Sequence, residues 1–295
     1  MSKIKNYLSL IKFSHTVFAL PFAVIGFVLG FTFLKSEAED VAIDFNFYTY
    51  TLLFVLLCMI FARSAAMAFN RYLDRIFDSQ NPRTALREIP AGIISANSAL
   101  LFTIIMSVLF IITTYFINSL CLYLSPVALL VVLGYSFTKR FTPLCHLVLG
   151  LGLSLAPIGA YLAVTGIFDW LPVLFSFVVL FWVSGFDIIY ALQDEEFDKK
   201  YKLKSIPVWL GKNKALKVSK LLHVLSALCV LGAGWLGSFG LWYWIGSLLF
   251  IGLLMYQHLL VKPNDLSKVN FAFFTTNGIA SVVFAVFVVV DILLR

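Results

Sequence analysis

Two sets of polar residues recur at helical spacing, far apart in the chain. Asn70, Asp74 and Asp78 stand four apart in Asn70-Arg-Tyr-Leu-Asp74-Arg-Ile-Phe-Asp78. Asp187, Tyr190, Asp194 and Asp198 recur in Asp187-Ile-Ile-Tyr190-Ala-Leu-Gln-Asp194-Glu-Glu-Phe-Asp198. Steps of three and four place each set on one face of a helix. Carboxylates one turn apart repel each other, and each set closes a long apolar run, where bare charge is costly. A hard divalent cation removes both objections. Mg²⁺ takes oxygen ligands, keeps several waters, and bridges one or two carboxylates to a phosphate. Two such rows facing each other across a cavity would hold a diphosphate through bridging metal ions. The offset between the rows is constant: Asn70 to Tyr190, Asp74 to Asp194 and Asp78 to Asp198 each span 120 residues.

Basic residues fit the same chemistry. Arg83 and Arg87 follow the first row, Lys139 and Arg140 end an apolar run, and Lys204-Ser205 follows the second row. Arginine forks and lysine point charges are the common clamps for phosphate oxygens. Each taken singly also reads as a topology or lipid-headgroup charge, and for Lys199 to Lys220 that reading is preferred. Arg63 differs. It lies seven residues before Asn70, about 10 Å up the same stripe, where a guanidinium needs an anionic partner.

The elements that carry these residues follow from composition. Of 295 residues, 61% are hydrophobic and 13% charged, against roughly 45–50% and about 25% in soluble domains. This excludes a soluble globular enzyme, a disordered chain and a disulfide scaffold. Nine apolar runs, near 14–34, 48–69, 99–116, 120–138, 144–166, 170–191, 218–236, 240–261 and 271–293, are each about the length of a membrane crossing. They are too long and continuous for barrel strands. The fold expected is an all-α polytopic membrane bundle. The constant offset divides it into two four-helix halves, 1–143 and 144–265, plus a ninth helix. Of 22 Lys and Arg, only Lys35 and Arg295 fall in loops on the acidic side and Arg63 within a span. The positive-inside rule therefore puts the N-terminus inside and both acidic rows at the cytoplasmic face, in keeping with a bacterial inner membrane. The net charge of +7 speaks to topology and anionic lipid, and no nucleic-acid partner is expected. Cys58, Cys121, Cys145 and Cys229 lie in apolar runs and read as free thiols.

Metal ions on a diphosphate make it a leaving group. If the rest of the substrate is allylic, its departure leaves a delocalised cation that water would quench. An apolar bundle excludes water and offers aromatic faces to the cation. Over nearly its whole length the chain resembles the UbiA superfamily of intramembrane prenyltransferases, most of all the 4-hydroxybenzoate polyprenyltransferase branch. The rows resemble the family's N-D-x-x-D-x-x-x-D and D-x-x-Y-x-x-x-D-x-x-x-D, supported by Lys139-Arg140-Phe-Thr, Lys204-Ser205 and Tyr256-Gln257. The resemblance implies a bundle around a central cavity opening toward lipid, and Mg²⁺-dependent transfer of a polyprenyl group from its diphosphate to an aromatic acid in quinone biosynthesis. Carried onto this chain, it makes Asn70, Asp74, Asp194 and Asp198 metal ligands, with Asp78 a further contributor. Arg63, Lys139, Arg140 and Lys204 would hold the diphosphate, with Arg83 nearby. Asp187 and Tyr190 would orient the acceptor or shield the cation, and Lys12 and His15 would face the acceptor.

One departure is Arg71, where the family has Asp. The run Asn70-Arg71 followed by Asn81-Pro82-Arg83-Thr84 resembles a subgroup that prenylates a dihydroxynaphthoate for menaquinone, so two acceptors stay open. A secondary transporter is the alternative of another class, because paired halves and intramembrane acids occur there too. Against it, the acids cluster at one face, and no pair of spans carries matched Gly/Pro breaks near its middle.

Overall fold

A computed structural model describes residues 3–11, 18–37 and 45–295. Among them the regular structure is helical: α1 (Lys3–Leu10), α2 (Leu20–Glu37), α3 (Phe45–Gln80), α4 (Ala96–Tyr115), α5 (Ser119–Thr138), α6 (Cys145–Thr165), α7 (Trp170–Ala191), α8 (Glu195–Lys200), α9 (Ile206–Leu236), α10 (Leu241–Leu260) and α11 (Asn277–Leu293). A 3₁₀ turn, Leu192–Asp194, joins α7 to α8, and a π-helical turn, Phe271–Thr276, leads into α11. Eight of these segments are long and apolar enough to cross a bilayer, and α2 is a ninth, shorter apolar helix. The protein is an integral, multi-pass membrane protein. Wide apolar faces such as Leu101, Ile104, Val108 and Ile112 of α4 are exposed and suit lipid.

Helix ends explain where the apolar runs and the helices differ. α3 has 36 residues, about 54 Å at 1.5 Å each, against a hydrocarbon core of about 30 Å. It continues past its apolar stretch because nothing in Asn70–Gln80 breaks a helix, so the first acidic row rides on the overhang. α9 starts well before residue 218. Ser205 Oγ accepts a hydrogen bond from Val208 N, 3.4 Å, and Pro207 sits in the first turn; together these start the helix early. Gly211, at φ 75°, then kinks it. Pro21 lies in the first turn of α2, where its missing N–H has no helical partner to lose. Residues 12–17, which hold Lys12, His15 and the start of the first run, lie outside the described residues.

Packing is tight where helices cross on small residues. A Cβ on Gly26 would stand 2.0 Å from Pro157 O, so only glycine lets α2 meet α6 there. Phe22, Phe175, Trp182, Tyr243, Phe250 and Phe284 form an aromatic core between α2, α7, α10 and α11. Trp182 Nε1 and Gln257 Nε2 both donate to Asn277 Oδ1, at 2.8 and 2.7 Å. Asn277 Nδ2 in turn donates to Ala272 O and Phe273 O, carbonyls of the π turn. That turn is thereby fixed, and with it Phe273 and Phe274 in the cavity wall.

Candidate active site

Two cavities meet inside the bundle. A polar one of about 850 Å³ is lined by both acidic rows, and an apolar one of about 390 Å³ runs between α3, α4, α5 and α6. Arg63, Met67, Tyr135, Leu149 and Leu153 belong to both walls. Asn70, Asp74 and Asp78 thus face Asp187, Tyr190, Asp194 and Asp198 across one space, as the spacing predicts. One expectation changes. The second row does not share a single continuous helix, because the 3₁₀ turn places Asp194 between α7 and α8. The turn tightens the chain by fewer residues per turn and aims Asp194 at the loop after α3.

Each of the four inner acids stands against a base. Arg83 grips Asp194 with both arms, Nη2 to Oδ2 at 2.6 Å and Nε to Oδ1 at 3.1 Å, and its Nη1 donates to Tyr190 Oη at 2.9 Å. Arg87 Nη1 donates to Asp78 Oδ1, 2.6 Å, and Arg140 Nη2 donates to Asp74 Oδ1, 3.1 Å. Lys139 Nζ stands 2.8 Å from Oδ1 of Asp198, a fully buried residue. Burial works against the charge on Arg83 and on Lys139, but Asp194 and Asp198 respectively outweigh it and hold both pKa values above their ordinary range. These bases therefore stay cationic at any physiological pH. The loop after α3 is shaped by Asn81, whose Oδ1 accepts from Arg83 N at 3.0 Å while its Nδ2 donates to Asp194 Oδ1 at 3.3 Å.

The donor set suits a hard dication. Every candidate ligand atom is an oxygen, and Asp78 Oδ2 and Asp198 Oδ2 are buried with no hydrogen-bond partner. Asn70 Nδ2 donates to Asp74 Oδ2, 3.1 Å, which turns the amide so that its oxygen stays available. Among the described residues no three acids, histidines or cysteines come close enough to form a ready cage. The site therefore fits an ion that takes one or two carboxylates and completes its shell with water and phosphate oxygens.

Lys204 is the one cation expected at the diphosphate that the structure places elsewhere. It does not line the cavity; its Nζ donates to Phe141 O, 3.1 Å, and its backbone N to Lys139 O, 2.7 Å. These bonds clip two connecting segments together. Conversely, sequence reasoning passed over His146. Its ring stands between two partners, Nδ1 2.7 Å from Asp187 Oδ2 and Nε2 3.4 Å from Ile206 N, and so fixes the carboxylate. Tyr190 is fixed too, its ring centroid 4.2 Å from that of Phe273 and tilted 32° to it. Nothing in the spacing points to His146, a lone histidine opening an apolar helix 41 residues from its partner.

A lipid-embedded bundle that gathers acids, bases and aromatic rings at one end, beside an apolar cavity, suits an intramembrane transferase. The UbiA prenyltransferase family model matches residues 19–279, and the chain belongs to that family. It is 34% identical over 242 residues to the 4-hydroxybenzoate octaprenyltransferase of Tolumonas auensis, covering 80% of this chain and 83% of that one. The 4-hydroxybenzoate octaprenyltransferase of Nitrosomonas europaea is 32% identical over 234 residues, covering 79% and 80%. Among solved structures, a UbiA homolog from Aeropyrum pernix superposes with a TM-score of 0.81 at 26% identity, covering 94% of this chain and 98% of that one. A UbiA homolog from Archaeoglobus fulgidus bound to DMAPP and Mg²⁺ shares the fold, with a TM-score of 0.74 at 23% identity over 98% of this chain and 100% of that one. The protein is a prenyltransferase, and the transporter alternative falls.

Proposed function

We propose that the protein transfers a polyprenyl group from its diphosphate to a hydroxylated aromatic acid, with Mg²⁺, at the cytoplasmic face of a bacterial inner membrane. The observation that carries this reading is the convergence of two acidic rows and four bases on one cavity that continues into an apolar one. The names of the relatives support the aromatic acceptor, and the A. fulgidus homolog binds a prenyl diphosphate with Mg²⁺.

Asn70, Asp74, Asp78, Asp194 and Asp198 would hold the metal. Mg²⁺ bound there supplies charge neutralisation of the departing diphosphate. Arg83, Arg87, Lys139 and Arg140 turn from the carboxylates to the phosphate oxygens, and Arg63 draws the headgroup toward the apolar cavity that houses the tail. The prenyl C–O bond breaks and the diphosphate leaves with the bonding pair. Positive charge on the allylic carbons then faces the rings of Tyr190 and Phe273, with water held out by the apolar walls. A ring carbon of the acceptor closes the new C–C bond, and Asp187, held by His146, takes the proton that ring carbon releases.

Two acceptors are in play. The relatives' names favour 4-hydroxybenzoate; the resemblance of the Asn70-Arg71 and Asn81-Pro82-Arg83-Thr84 runs to the other subgroup favours a dihydroxynaphthoate. Purified protein, one prenyl diphosphate, Mg²⁺ and a panel of aromatic acids, read by mass spectrometry, separate them. Asp74→Asn run in parallel should form no product. Failure of the wild type to release diphosphate with any acid would sink the reading.

A further inference from the structure

The cavity wall formed by α3, α5 and the loop after α3 holds several buried polar atoms without partners: Arg63 Nε, Arg71 Nε, Ser136 Oγ, Asp78 Oδ2 and Glu88 Oε2. Asp78 Oδ2 belongs to the acidic row, and Arg63 lies two turns deeper. The remaining three, Arg71, Ser136 and Glu88, line the same cavity outside the row. Arg71 is only 5% exposed. Among the described residues it makes no ion pair and no hydrogen bond. Asp78 and Glu88 are close enough to feel its charge, but each is engaged elsewhere, Asp78 with Arg87 at 2.6 Å and Glu88 with the hydroxyl of Ser9. Ser136 is 4% exposed on the facing helix α5. A buried guanidinium whose N–H groups meet no acceptor is costly to keep, so this pocket is built around something that is brought to it.

The pocket's chemistry selects its guest. Arg71 follows Asn70 by one residue, about 100° further round α3, so it sits on the flank of the acidic row rather than in it. The bases that face the row already suffice for a diphosphate. A single planar fork on α3, with a hydroxyl on the same cavity wall from α5, matches a carboxylate. Glu88 Oε2 adds an acceptor that a ligand hydroxyl satisfies.

We propose that Arg71 and Ser136 seat the carboxylate of the aromatic acceptor, and that this pocket selects hydroxylated aromatic acids over neutral phenols. The proposal rests on the aromatic-acid reading above, and its test separates the two. The probes are 4-hydroxybenzoate and a dihydroxynaphthoate, each beside its methyl ester. Binding to the purified full-length protein is measured by calorimetry without prenyl diphosphate, and turnover is measured separately. The better-bound acid should exceed its ester by about 10–100-fold, the range of a charge-assisted hydrogen-bonded pair. Arg71→Gln should bring the acid down to the level of the ester and leave ester binding and the prenyl-diphosphate KM unchanged. Arg71→Lys, which keeps the charge and loses the fork, should fall between, and Ser136→Ala should cost the acid alone a few-fold. The subsite is overturned if neither wild-type acid outbinds its ester, if Arg71→Gln weakens acid and ester alike, or if it shifts the prenyl-diphosphate KM instead. If Arg71→Gln does not fold, an unchanged preference for acid over ester in both Arg71→Lys and Ser136→Ala overturns it equally. Arg71-dependent acid binding without any transfer would sink the catalytic reading and leave the subsite standing.

Discussion

Asp194→Asn separates structural from chemical roles. Asp194 accepts from Arg83 at 2.6 and 3.1 Å and from Asn81 at 3.3 Å, and the Asp194 and Arg83 side chains are 11% and 33% exposed. The amide keeps the shape but offers one accepting atom in place of two and no charge. Charge-assisted bonds are worth about 1.5–3 kcal/mol each, so the gross loss is about 3 kcal/mol. Arg83 is a third exposed and can turn to water, so about half that loss remains after allowing for screening. The apparent melting midpoint, followed by fluorescence in detergent, should therefore drop by only a few degrees. Turnover should fall by at least about 10²–10³-fold, the size of losing one preorganised electrostatic group. Pairing the change with Arg83→Gln restores a neutral hydrogen-bonded couple. That double variant should regain the midpoint but not the rate. If Asp194→Asn alone keeps near-wild-type turnover, or if the double variant recovers both properties, the two side chains merely brace each other and the chemistry assigned to the cavity is wrong.

Other perturbations read different parts of the site. Stripping divalent cations with EDTA should stop prenyl transfer, and Mg²⁺ should restore it better than Ca²⁺, which prefers more oxygen ligands than this pocket supplies; full activity in EDTA would contradict the metal assignment. Arg63→Ala should raise the prenyl-diphosphate KM by about 10–100-fold and leave the acceptor KM alone, because Arg63 stands where the polar and apolar cavities join. Gly26→Leu should abolish recovery of folded protein on size-exclusion chromatography, since even a Cβ meets Pro157 O at 2.0 Å; a well-folded variant would show that α2 and α6 can part.

Much of this was legible in the residues. Apolar length alone marks the crossings, and a period of four marks the acidic rows, because both signals are local. Pairing is not local. Which base meets which acid depends on how α3, α5 and α7 pack, so Arg83 with Asp194 and Lys139 with Asp198 carry no sequence signature. Lys204 and His146 miss in opposite directions for the same reason. Lys204 has the type and place of a phosphate clamp, yet it serves a carbonyl. His146 has the setting of a lone buried ring, yet it steadies Asp187. Helix extent fails where charge follows apolarity, as at Asn70–Gln80, since a hydropathy run ends at charges that a helix passes through. The kink at Gly211 uses a positive φ that glycine permits but does not require, and the turn at Asp194 sits under bonds from Asn81 and Arg83, more than a hundred residues away.

Arg63, Asn70, Arg71, Asp74 and Asp78 all ride on α3, one uninterrupted helix. Their mutual spacing works as a rigid ruler, fixed at about 1.5 Å per residue. The opposite bank is built differently: its backbone leaves the α-helix at Leu192–Asp194 and again at Gly211. One wall of the cavity is thus a single continuous rod, and the other is assembled from short pieces set at angles to one another.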